Sequence, residues 1–157
     1  CEGKFQAALS EGERALKINP HSPVRLVQHG YNLAMSGNWN DGVELCRQAL
    51  KSLDILPLHY FYVLFFDHFK NERFGEALKF LHKFGSPRLW LTHACFAAVH
   101  GKMGNLEDAE ASVSELKSIL PDFEEDVLGW TKRCIGSSET IKLFLDGLRE
   151  AGVAVSD

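Results

Sequence analysis

The chain has 157 residues, 45% of them hydrophobic and 24% charged, with a formal net charge of −4. That length and apolar share suit one domain with a real core, and the acidic balance argues against a nucleic-acid binder, whose face would be basic. No apolar run is long enough to span a bilayer and no signal-peptide pattern is visible, so no membrane role is expected and the expected location is the cytoplasm.

The first element is a helix from Lys4 to Ile18. Its apolar stripe has no companion helix before it, whereas helical arrays normally open on a polar-backed unit. The expectation is therefore a piece of a longer protein. Ser22-Pro23 supplies an N-cap serine with proline at the first helical position, starting a helix from Val24 to Ser36. Asn40 to Leu53 forms the next one. Pro57 then opens the most apolar helix, LHYFYVLFFDHFK, in which Leu58, Phe61, Leu64, Phe65 and His68 share the inward face and Tyr62, Phe66 and Phe69 share another. A helix apolar all round is usually buried all round. Two readings stand for it: packed core, or an aromatic groove that takes a partner.

Ser86-Pro87 repeats the serine-proline capping device and starts the first helix of the hairpin that runs through the stretch from Trp90 to Phe123. There Leu91, Cys95, Ala98 and Val99 recur at helical spacing until Gly101 and Gly104-Asn105 break the pattern. Leu106-Glu107-Asp108 starts a second arm, with carboxylates suited to a helix N-terminus. Ala109, Val113, Leu116, Ile119 and Leu120 form its stripe, and Pro121 stops it. Glu124 to Cys134 reads as a further helix with Leu128, Trp130 and Ile135 as contacts. A last helix begins at Ser137-Ser138-Glu139, carries Ile141, Phe144, Leu145 and Leu148, and ends at Gly152. Of the four cysteines, Cys1, Cys46, Cys95 and Cys134, none forms a CxxC pair. Cys46 and Cys95 fall on apolar faces, which predicts reduced, buried thiols.

The spacing recurs along the chain. Ala8, Ala15 and Pro20 have the offsets of Ala109, Leu116 and Pro121; Gly42, Ala49 and Asp54 match again, and Ala77 and Phe84 match a further time. Turns fall at equivalent places, at Gly37 to Asp41, Asn71 to Glu76 and Gly104 to Asp108. The period is about 34 residues, that of a helix-turn-helix repeat unit. In this the chain resembles tetratricopeptide-repeat proteins, although the family's Trp, Leu-Gly and Tyr positions read Leu26, His29-Gly30 and Leu33, then Phe61, Leu64-Phe65 and His68, then His93, Phe96-Ala97 and His100. The resemblance implies an all-α fold, a helical-hairpin solenoid wound as a right-handed superhelix with a C-terminal capping helix pair. The implied organisation is one domain over 1–157: a truncated repeat at 1–20, repeats at 23–54, 57–85 and 87–121, and capping helices at 122–157.

The sequence offers little chemistry. His29, His68, His93 and His100 lie on faces that pack, their carboxylate neighbours are scattered, and no H-E-x-x-H spacing occurs, so satisfied, partly buried imidazoles are expected rather than ligands. No G-x-S-x-G, phosphate loop or cysteine with a suitable partner is present. No catalytic, cofactor-binding or metal residue is assigned, and no cofactor is expected.

In the resembled family the concave surface is lined by fixed positions of each first helix. They correspond here to Val24, Val27, Tyr31 and Met35, then His59, Tyr62, Phe66, Phe69 and Lys70, then Leu91, Ala94, Ala98 and Lys102. Members that grip a terminal carboxylate use lysine, arginine and asparagine at several of them, where this chain has Val27, Tyr31, Tyr62, Phe66, Ala94 and Ala98. The implied partner is instead an apolar or amphipathic segment, from another protein or from another domain of the same chain. The candidate contacts are Val27, Tyr31, His59, Tyr62, Phe66, Phe69 and Lys70. A homodimer through the same aromatics is the competing expectation.

The C-terminal half carries a second resemblance. His93 to Ala109, and the run Asp146-Gly147-Leu148-Arg149-Glu150-Ala151-Gly152, are similar to the repeat tail of bacterial multidomain proteins. In those proteins tetratricopeptide repeats follow a class III adenylate/guanylate cyclase domain, or sometimes a winged-helix DNA-binding domain. The resemblance implies a non-catalytic regulatory region within a cyclase-like signalling protein. A segment of a winged-helix transcriptional regulator and a free-standing scaffold are the alternatives.

Overall fold

The computed structural model of the protein describes residues 2–52, 60–125, 127–135 and 138–155. Pro57, Leu58, His59 and Cys1 lie outside the described residues, as do the side chains of Phe61, Trp130 and Cys134. Among the described residues the regular structure is helical, with no strand. The helices are α1 (Glu2–Ile18), α2 (Pro23–Met35), α3 (Trp39–Leu50), α4 (Phe61–Lys70), α5 (Phe74–Phe84), α6 (Trp90–Met103), α7 (Leu106–Ile119), α8 (Val127–Cys134) and α9 (Ser138–Glu150), with a 3-10 turn at Phe123–Glu125. Contacts cluster into two compact units, Cys1–Asp67 and His68–Asp157, whose boundary falls inside α4.

The same device closes three turns. After α2, Gly37 takes a φ of 101° and the Asn38 N–H donates to the Leu33 carbonyl at 2.9 Å. After α4, Glu72 takes a φ of 55° and Arg73 N–H reaches the His68 carbonyl at 2.9 Å. After α6, Gly104 takes a φ of 71° and Asn105 N–H reaches the His100 carbonyl at 3.0 Å. Each is a left-handed residue followed by an N–H that satisfies a carbonyl of the helix's last turn. This shared geometry is why the three turns align in sequence. Glu72 is the exception in residue type, holding a conformation that costs an L-residue roughly 1–2 kcal/mol.

The helix starts differ from expectation. Ser22 stands at the N-cap of α2 with extended backbone, but its side chain makes no cap bond. Ser86-Pro87 does not start α6. The Ser86 carbonyl instead accepts the Leu89 N–H at 3.1 Å, forming a turn, and the helix begins at Trp90. The segment after Pro121 is also divided, into the turn at Phe123–Glu125 and α8.

In the first unit, α2 and α3 cross where both helices are reduced to backbone. A Cβ added at Gly30 would stand 2.7 Å from the Gly42 carbonyl oxygen, and one added at Gly42 would collide with the Gly30 carbonyl. Cys46 fills the same crossing, its thiol donating to the Val27 carbonyl at 3.8 Å. Arg47 of α3 reaches the nearly buried carboxylate of Asp67 at 2.7 Å.

The second unit repeats the crossing between α6 and α9, where Gly101 and Gly147 face each other. Rings fill the remainder: Phe69 packs edge-on against Phe74 at 5.4 Å and Phe144 at 5.8 Å, and Trp90 lies 5.5 Å from Phe123. Lys102 ties α6 to α9 through Glu150 at 2.7 Å. Glu124 accepts the Ala154 N–H and the Lys117 ammonium, each at 3.0 Å, pinning the tail. These bonds hold its carboxyl below the usual range.

Candidate functional site

The candidate groove residues do not share one environment. Val27, Phe66 and Phe69 are fully packed, and Tyr62 keeps 9% of its surface. Tyr31 and Lys70 are half-buried, and His59 lies outside the described residues. From Tyr62 through Asp67 every described side chain of α4 is buried. The aromatic run therefore forms core along that stretch. Its apolar positions look alike in sequence whether they face a neighbouring helix or a partner.

What α2 leaves accessible is a narrower stripe. Val24 is 52% exposed, and Tyr31 and Met35 are half-buried. The offsets of seven and four residues put all three on one side of the helix. Tyr31 packs edge-on against Tyr60 at 5.5 Å, and burial raises the Tyr60 hydroxyl above its usual pKa. On the next side of α2 lie Arg25, Gln28 and Asn32, which with His29 face α1 across a cleft.

The Cys46 and Cys95 thiols are not placed as nucleophiles. Cys46 and Cys95 are buried and free, as their apolar faces predict. Burial pushes the Cys46 thiol up to about 12 and drives Cys95 well above its ordinary value, so neither supplies thiolate at neutral pH. Among the described residues, no three His, Cys, Asp or Glu side chains converge as a metal-holding group. Within the same residues no helix is long and apolar enough to cross a membrane.

The histidines differ in their surroundings. His93 is satisfied, its Nε2 donating to the Pro87 carbonyl at 2.9 Å. His100 lies beside Asp108 at 3.8 Å and stacks on Phe96. His29, although 94% buried by its 6% exposure, has no hydrogen-bond partner at Nδ1. That is a correction to the reading of satisfied imidazoles. Nothing in the local sequence signals it, because the atom faces the backbone of Gly12 on another helix.

Burial lowers the pKa of both His29 and His100; Glu13 opposes this at His29, while at His100 Asp108 opposes it and His82 adds to it. The folded chain thus binds these protons less readily than the unfolded chain, whose imidazoles titrate at their ordinary value of 6.5. Their contribution to stability is complete above that pH and is lost as the pH falls through it towards the folded values. The urea midpoint is expected to fall between about pH 7.5 and about pH 5.5, and to fall less in the double variant His29→Gln/His100→Gln. A slope unchanged by the double substitution would contradict this assignment.

No family model matches the chain, and no match is found among curated proteins. The backbone is similar to the crystal structure of MamA, with a TM-score of 0.66 over 96% of this chain and 91% of that one. The fold is tetratricopeptide-like. At 19% identity the likeness concerns fold alone.

Proposed function

We propose that this chain is a non-catalytic helical-repeat region that binds another protein. The observation that carries the reading is the accessible stripe Val24, Tyr31 and Met35, an aromatic flanked by aliphatic side chains on one side of α2. Such an amphipathic face suits an apolar or amphipathic segment of a partner. The tetratricopeptide-like fold supports this, since stacked hairpins present extended surfaces for contact.

The test is retention of a partner by immobilised protein. Tyr31→Asp is expected to lose a protein that the wild-type chain retains, with an unchanged circular dichroism spectrum. Equal retention by both would remove the stripe from the interface. Concentration-dependent self-association abolished by Tyr31→Asp would make a second copy the partner instead.

A place within a cyclase-like signalling protein is the finer reading. It is supported by the similarity of His93 to Ala109 and of Asp146 to Gly152 to the repeat tails of such proteins. The full gene sequence tests it: a cyclase domain supports it, and a winged helix moves the region to transcription. Repeats alone would leave a scaffold.

A further inference from the structure

The cleft between α1 and α2 lies wholly within the first unit and has a volume of about 240 Å³. Gly12 makes the α1 wall flat, because a Cβ there would collide with His29 Nδ1. The opposite wall is polar, formed by Arg25, Gln28, His29 and Asn32. Offsets of three, four and seven residues place these on one side of α2.

The charges at this cleft are unequally committed. Glu11, on the α1 rim, is engaged by Arg14 at 2.9 Å. Arg25 has no ion pair or hydrogen bond from its side chain among the described residues. His29 adds a nine-tenths-buried imidazole whose Nδ1 is unsatisfied. The uncommitted groups are thus a guanidinium and two amides that can donate. A guanidinium fork pairs with a carboxylate through two parallel bonds, whereas a cation entering here would meet Arg25 unshielded. The volume suits a side chain rather than a whole helix.

We infer that this cleft receives an aspartate or glutamate side chain of a partner protein, bound by Arg25 with amide donors from Gln28 and Asn32. The inference rests on the protein-binding reading and extends it to a second, polar contact. It lies apart from the positions at which repeat proteins of this kind grip terminal carboxylates, which carry Val27 and Tyr31 on this helix.

The probe is N-acetyl hexaglutamate amide, titrated into the whole chain and followed by backbone amide NMR, with hexaglutamine and hexalysine peptides alongside. Hexaglutamate is expected to shift the signals of residues 25–32, and Arg25→Gln to weaken it about tenfold or more, as loss of a charge-assisted bond does. Asn32→Ala should weaken it less, and Arg88→Gln, exposed in the second unit, should leave it unchanged. Arg25 is itself exposed, so its variant folds, as an unchanged melting curve would verify. Absence of shifts at residues 25–32, equal binding of hexaglutamine, preference for hexalysine, or indifference to Arg25→Gln would each overturn the inference. Should any of these occur while Tyr31→Asp still loses its partner, the cleft is excluded and the binding role of α2 stands.

Discussion

Phe69→Ala is expected to lower stability by about 3–5 kcal/mol, the usual cost of emptying a buried phenylalanine site. The side chain is 0% exposed and meets Phe74 and Phe144 edge-on at 5.4 and 5.8 Å. Truncation therefore removes two ring pairs and leaves a cavity lined by the flanks of the rings that remain. For a chain of this size each kcal/mol moves the melting temperature by roughly 2–4 °C, so the whole effect is a loss of about 6–20 °C. The same substitution at a residue lining an open groove would weaken binding and barely move the melting temperature. Thermal unfolding followed by circular dichroism thus separates the two readings of the α4 aromatics at a single position. A shift below about 2 °C would return Phe69 to the surface. Tyr31→Ala provides the contrast, since that side chain is half-buried and should cost less.

The helices were legible because their signal is local. Period and turn chemistry placed α2, α3, α6, α7 and α9 to within a few residues, and Gly37 and Gly104 mark turns that need left-handed backbone. Glu72 holds the same conformation in the equivalent turn, and its position could be found only by aligning the repeats. At the start of α6, Ser86-Pro87 offers both a cap and a turn, and the choice depends on whether the Ser86 carbonyl accepts Leu89, which local sequence does not decide. The site was less legible for a different reason. Tyr62, Phe66 and Phe69 are apolar whether they pack or bind, so composition cannot separate core from groove. The cleft beside His29 joins Gly12 to Arg25, Gln28 and Asn32 from a separate helix, and no spacing within either helix announces it. Gly101, which the sequence offers as a helix breaker beside Gly104, instead lies inside α6 at its crossing with α9, as Gly42 lies at the crossing of α3 with α2.

Those crossings give the second large effect. Gly101→Ala is expected to destabilise the protein by about 1–3 kcal/mol, as overpacking a well-packed contact does. The added methyl group would collide with the Gly147 carbonyl and stand 3.0 Å from the Ala151 nitrogen. Both are backbone atoms in or next to α9, so relief requires the helix to move rather than a rotamer to change. Gly147 is bound by the mirror condition, with a Cβ there lying 2.5 Å from the Ala98 carbonyl oxygen. Gly75→Ala is the control, because a Cβ at that position of α5 meets nothing within 4 Å. It should be neutral or stabilise by about 0.4–1 kcal/mol, since alanine restricts the unfolded chain more than glycine does. Opposite signs from one chemical change at two glycines would exclude helix propensity as the cause, because propensity favours alanine at both. The double variant Gly101→Ala/Gly147→Ala should cost less than the sum of its parts, since a helix already displaced by the first methyl leaves room for the second. An unchanged melting temperature in Gly101→Ala would mean that α6 and α9 do not meet at these residues, and with that the placement of the last helix on the repeat before it would fall.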